Sequence, residues 1–152
     1  MGKFLDEAAR ELILHVRQVA WLTALPRHKL STGEEIRQPA RAEAYKTGGT
    51  EPPLPPKGDV AHVFDWFMEL GQIEVTGMGR AALSWREIDA WASRTFTPMT
   101  AWEARLLRRL SVAFLAESGA AESPYHPAPW VERITSQAAR DAAERQLRSV
   151  LG

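Results

Sequence analysis

His62, Asp65 and Glu69 follow one another at three- and four-residue spacing, which on a helix gathers an imidazole and two carboxylates into one strip. That donor set suits a metal bound through nitrogen and oxygen. A narrow strip of charged residues is equally what a solvated helix face presents, so no metal ligand is assigned. Ser84 and Thr100 carry the hydroxyls best placed by motif, but each has a glutamate three residues on, Glu87 and Glu103, the spacing of a helix-capping box rather than of a nucleophile and its base. Gly77-Met78-Gly79-Arg80 lacks the Lys-Ser/Thr that lets a glycine loop hold phosphate, and reads as a turn. Tyr125, His126 and Trp130, spaced by prolines, read as an ordered loop or docking segment. The chain has no cysteine, which removes thiol nucleophiles, disulfides and cysteine-ligated zinc or iron–sulfur sites together. No catalytic residue and no cofactor are therefore expected.

Arg105, Arg108 and Arg109 offer a different chemistry, contact with phosphate. With Ser84–Phe96 as a first helix and Thr100 opening a second, they can be drawn as a helix-turn-helix. Such a motif reads bases near the start of its second helix, where this chain has Trp102 and Glu103. The 19 basic side chains are also matched by 19 acidic ones, leaving no surplus charge for a polyanion. A DNA-binding regulator ranks third among the functions weighed, and no nucleic acid partner is expected.

The elements that position these residues are marked by prolines and caps. Pro52, Pro53, Pro55 and Pro56 form a linker over 51–57, and Pro124, Pro127 and Pro129 a loop over 119–129. These breaks divide the chain into an N-terminal helix and polar segment (1–50), a helical core domain (58–118) and a C-terminal helix (130–152) that opens at Pro129-Trp130. Within 58–118 the signals predict three helices. One is capped by Asp59 and runs through about Leu70; one starts at Ser84 with Leu83 and Ile88 as a hydrophobic staple; one runs from Thr100 toward Gly119. The first is apolar around most of its circumference and is expected to be central. The predicted core is Phe64, Phe67, Ile88, Leu106, Leu110 and Phe114. Only 72–83, with Ile73 and Val75 separated by glycines, allows a short hairpin. The fold class expected is all-α.

Some apolar residues fall outside the main stripes. In the first helix Leu5, Ala8, Ala9, Leu12, Val16 and Val19 share one face, while Leu14, Trp21 and Leu25 lie nearly opposite. In the helix after Thr100, Val112 and Leu115 sit on the arginine side. In the last segment Val131, Ile134, Ala138 and Ala142 form one stripe, and Ala143, Leu147 and Val150 another. Leu14, Trp21, Leu25, Val112 and Leu115 are the candidate partner-binding residues. The apolar run Leu12–Leu25 is interrupted by His15, Arg17 and Gln18 and is too short to span a bilayer, so no membrane association is expected and the cytoplasm is the expected location.

Four pieces taken together resemble a known family. Pro52-Pro53-Leu54-Pro55-Pro56 is followed by Val63-Phe64-Asp65-Trp66-Phe67-Met68-Glu69-Leu70. Then come Leu83-Ser84-Trp85-Arg86-Glu87-Ile88-Asp89-Ala90-Trp91 and Thr100-Ala101-Trp102-Glu103-Ala104-Arg105-Leu106-Leu107-Arg108-Arg109-Leu110. In order and spacing, over about residues 50–117, they are similar to the small tail assembly chaperones of long-tailed bacteriophages and prophages. Ser111 stands where that pattern leads one to expect an acidic residue. The resemblance implies a non-enzymatic helical protein in the cytoplasm of a bacterial host. Its protein partners would be the tape measure protein, which it holds soluble, and the tail tube protein. A structural virion or connector component is the main alternative.

Overall fold

The computed structural model describes residues 2–132 and 137–151. The chain begins with α1 (Gly2–Thr23), a hairpin of β1 (Arg27–Lys29) and β2 (Glu35–Arg37), and α2 (Arg41–Thr47). An extended proline-rich strap and a 3-10 turn (Gly58–Val60) lead into α3 (Ala61–Leu70). A second hairpin, β3 (Glu74–Thr76) with β4 (Gly79–Ala81), precedes α4 (Trp85–Arg94), α5 (Ala101–Ala120) and α6 (Gln137–Leu151).

The two antiparallel hairpins correct the all-α expectation: helices dominate, but the class is not purely helical. β3–β4 occupies the glycine-bearing stretch in which a short hairpin was allowed, with Val75 opposite Arg80. β1–β2 has no sequence signal, because its pairs Arg27↔Arg37, His28↔Ile36 and Lys29↔Glu35 are mostly solvent-facing and show no apolar alternation. Its base is held by backbone bonds instead. The Arg27 amide donates to the Glu122 carbonyl at 2.7 Å and the Gln38 amide to the Pro26 carbonyl at 2.7 Å, while the Arg27 guanidinium meets Glu35 and Glu122, each at 3.6 Å.

The core is built on α1 against α5. Ala8, Ala9, Leu12 and Val16 pack with Leu106, Leu107 and Leu110, and α3 closes a third side with Val63 and Phe67. Phe67 is fully buried, with the Phe114 ring edge-on at 5.8 Å. The staple pair Leu83 and Ile88 is buried in the same cluster, and Phe64 and Phe114 pack against it partly exposed. The expectation that α3 is the central helix is corrected. It has 10 residues and buries only two of them, whereas α1 and α5, with 22 and 20 residues, cover each other along their length. An apolar circumference measures what a helix can bury, not what is long enough to bury it.

Helix ends follow the sequence where side chains cap them. The Ser84 hydroxyl accepts from the Glu87 amide at 3.2 Å, and Thr100 and Glu103 form a complete capping box with bonds of 3.1 and 2.9 Å. Asp59 does not cap, because the chain enters α3 through the 3-10 turn and Val60 takes the cap position without a side-chain bond. That turn needs Gly58, whose φ is +77° and where a Cβ would run into the Glu11 side chain. α5 continues through Gly119 to Ala120. Pro129-Trp130 does not open a helix, since residues 130–132 are non-helical, and the described part of α6 is Gln137–Leu151. Of the stripes expected in the last segment, Val131, Leu147 and Val150 are exposed, Ile134 lies outside the described residues, and Ala138, Ala142 and Ala143 lie outside the described side chains.

The proline-rich residues lie along α1. Buried His15 donates from Nδ1 to the Pro55 carbonyl at 2.6 Å, and the Gln18 amide donates to the Pro53 carbonyl at 3.2 Å. Gln18 Oε1 also accepts from the Trp130 amide at 3.2 Å, so one buried amide ties both the strap and the C-terminal loop to α1. Prolines suit the strap because they hold it extended while their carbonyls remain free to accept.

Candidate partner-binding surface

The capping box at Thr100 sets the register of α5. It brings Arg105, Arg108, Arg109, Val112, Ala113 and Ala116 into one row, at offsets of 3, 4, 7, 8 and 11 residues from the first. That row forms one wall of a groove of about 540 Å³, completed by Ile13 of α1 and by Trp85, which the Ser84 cap places at the first position of α4. The floor is apolar and the charges are all of one sign. Val112 is 47% and Trp85 53% exposed, a branched aliphatic and a large aromatic side chain left to solvent in the same groove. The Arg108 guanidinium lies 5.9 Å from the centre of the Trp85 ring. Its Nε is shielded from water with no hydrogen-bond acceptor, and none of Arg105, Arg108 and Arg109 has an ion-pair partner among the described residues. Chemically, this surface suits an apolar side chain flanked by carboxylates.

The five candidate partner-binding residues do not converge on one patch. Val112 lies in the groove. Leu115, on the same helix, is half-buried and does not line it. Leu14 is half-buried on α1. Leu25 lies just beyond the end of α1, 42% exposed, beside Arg27, Arg37, Arg80 and Glu122 in a separate depression. Trp21 is held by its own chain: its indole N–H donates to the His126 carbonyl at 2.9 Å, and the Arg41 guanidinium sits 4.5 Å above its ring.

Arg41 was not singled out in the sequence. Beyond stacking on Trp21 it donates to the carbonyls of Trp21 (3.2 Å), Ala121 (3.0 Å) and Ser123 (2.9 Å), at the adjoining C-terminal ends of α1 and α5. Those ends carry unsatisfied carbonyls and the negative poles of two helix dipoles, which a half-buried cation stabilises. Burial pulls the Arg41 pKa below its ordinary value. A signal does exist: Arg41 opens a helix, where a cation opposes its own dipole, so it serves something else. Nearby, buried Glu117 accepts from Arg17 at 3.2 Å and His126 at 2.8 Å.

The residues first considered for chemistry are placed structurally. His62 bonds Glu103 across to α5 and stands edge-on to Trp66, with ring centroids 5.0 Å apart. Partial burial works against ionisation of the Glu103 carboxyl, but bonds from the Thr100 amide and hydroxyl and from His62 outweigh it and hold its pKa below the ordinary value. Glu74 is likewise lowered by the Ser84 amide, which it accepts at 2.7 Å. Ser111 is fully buried. Its hydroxyl accepts the Leu83 amide at 2.8 Å and donates to the Gln72 carbonyl at 2.7 Å, closing both ends of the β3–β4 segment onto α5. A carboxylate can accept but not donate there.

No helix among the described residues is long and apolar enough to cross a membrane. A family model described as phage tail assembly chaperone matches residues 34–116, more than half of the chain, from the start of β2 through most of α5. No curated protein and no solved structure matches the chain.

Proposed function

The chain belongs to a family of phage tail assembly chaperones, and from that premise we propose that it binds the tape measure protein in the cytoplasm of the bacterial host, holds it soluble, and assists tail tube subunits in assembling around it. The role is a binding role without catalytic residues, and the chaperone leaves before the tail is complete. The observation that carries this reading is the family match, which spans the strap, α3, the second hairpin, α4 and most of α5. The surface of α5 supports it, because a row of exposed apolar and cationic positions on a rigid helix is a form in which proteins receive a partner helix. Val112 is the candidate residue best placed for that contact. Leu14, Trp21, Leu25 and Leu115 lie outside the groove and are proposed to form secondary contacts.

The test is co-expression with the tape measure and tail tube proteins of the same phage, followed by size-exclusion chromatography and mass spectrometry of assembled tails. A soluble complex with the tape measure protein, together with absence of the chain from purified tails, is the expected result. Stoichiometric presence in finished tails would favour a structural virion component, and failure to form any complex would overturn the reading.

A further inference from the structure

We propose that the groove between α1, the start of α4 and α5 is a slot for an acidic amphipathic helix of the client. The client's apolar side chains would sit on Ile13, Trp85 and Val112, and its carboxylates would meet Arg105, Arg108 and Arg109. This rests on the reading that the protein binds a client, and adds the chemistry of the segment bound.

Charge complementarity carries the inference. Arg17, Arg27 and Arg80 have acidic partners within the chain, Glu117, Glu35 and Glu122, whereas Arg37, Arg86 and Arg94 carry no ion pair among the described residues but do not line one apolar groove together. Around the groove three arginines stand together with no acid among the residues that line it, although the chain as a whole is balanced at 19 and 19. Like charges gathered on an apolar floor repel one another, and an incoming carboxylate relieves that repulsion. Arg108 adds a second reason. Its guanidinium lies 5.9 Å from the centre of the Trp85 ring and its Nε is withdrawn from water without an acceptor, an arrangement that costs free energy until an acceptor arrives. A small turn of the side chain exposes that donor to a carboxylate side-on, the bidentate geometry guanidinium prefers.

Shape selects a helix as occupant. Ala113 and Ala116 leave room for an incoming side chain beside the taller arginines, and the row on α5 recurs at three- and four-residue intervals, the pattern into which the side chains of a second helix interdigitate. A nucleic acid backbone would use the arginines but leave Ile13, Trp85 and Val112 without a partner. A second copy of the chain is distinguished by the experiment.

The experiment pairs the exposed-residue variant Arg105→Glu/Arg109→Glu with a photo-crosslinking side chain at Ala116, each in the full chain co-expressed with the tape measure protein. Expected are crosslinks to a client segment with apolar residues at helical spacing and flanking acids, and at least a tenfold loss of affinity in the double variant with its thermal midpoint unchanged. If the client still binds but affinity is unaltered, or crosslinks fall on a basic segment or on a second copy, the slot is wrong while the chaperone reading stands. If the unmodified chain does not bind the client, the chaperone reading falls and the slot is judged by a synthetic pair, a Leu/Glu amphipathic helix and its Leu/Lys counterpart. Preference for the acidic peptide, reversed in the double variant, upholds the slot, and its absence overturns it.

Discussion

Trp21 and His126, 105 positions apart in sequence, are joined by a 2.9 Å bond from the indole N–H to the backbone carbonyl, and the ring on the other side carries Arg41 at 4.5 Å. One tryptophan on α1 thereby binds the C-terminal loop and α2 to the core. Its replacement is expected to act first on stability.

Trp21→Ala should lower unfolding free energy by about 2–3 kcal/mol, combining lost apolar burial with one lost hydrogen bond. Denaturant titration measures it, and co-purification with the tape measure protein at a temperature where the variant is folded separates the structural part from any client contact. Arg41→Lys should also destabilise, because an ammonium cannot reach three carbonyls and stack on Trp21 at once.

Ser111→Ala should cost about 1–3 kcal/mol, since the buried Leu83 amide and Gln72 carbonyl both lose their partner. Hydrogen exchange provides the specific readout. Protection should fall at Leu83 and along β3–β4 before it falls in α1.

Burial pushes the His15 pKa below 6.5; its bond to Pro55 opposes this and nearby Lys57 reinforces it. The unfolded chain therefore takes up the proton more readily than the folded one. Stability should be complete above pH 6.5 and decline as pH falls from there toward the lowered folded value. Thermal midpoints measured between pH 7.5 and 5.5 should show this decline, and His15→Gln, which can still donate to Pro55, should flatten it. The contributions of Glu103 and Glu74 are lost only below their ordinary value of 4.5, outside that range.

Phe96 closes α4 in a left-handed conformation, φ +54°, with the Thr97 amide on the Ala92 carbonyl at 3.0 Å and its own amide on Ser93 at 3.4 Å. This is the position where helices favour glycine, yet the phenyl ring is 90% exposed and buries nothing in exchange. Phe96→Gly should therefore raise stability by roughly 1 kcal/mol. An unchanged or lower thermal midpoint would show that the ring is held by contacts of its own.

Much of the secondary structure was legible in residues close together in the chain. The Ser84–Glu87 and Thr100–Glu103 boxes, the staple of Leu83 and Ile88, the stripe Ala8, Ala9, Leu12 and Val16, and the core positions Phe67, Leu106 and Leu110 each depend on neighbours three or four residues away. A local interaction of that kind forms wherever the backbone turns helical. The quoted motifs over 50–117 carried the family for the same reason, since they are contiguous runs. What the tertiary structure alone decided depends on pairs that meet only after folding: α1 rather than α3 as the partner of α5, the strap fastened by His15 and Gln18, Arg41 at two helix ends, Ser111 under the second hairpin, and Trp85 opposite Val112 across the groove. The β1–β2 hairpin belongs with these. Its strands bury too little apolar surface to impose an alternating pattern, and its base is fixed by backbone bonds, including one from Arg27 to Glu122, which any residue type could supply and no sequence pattern records.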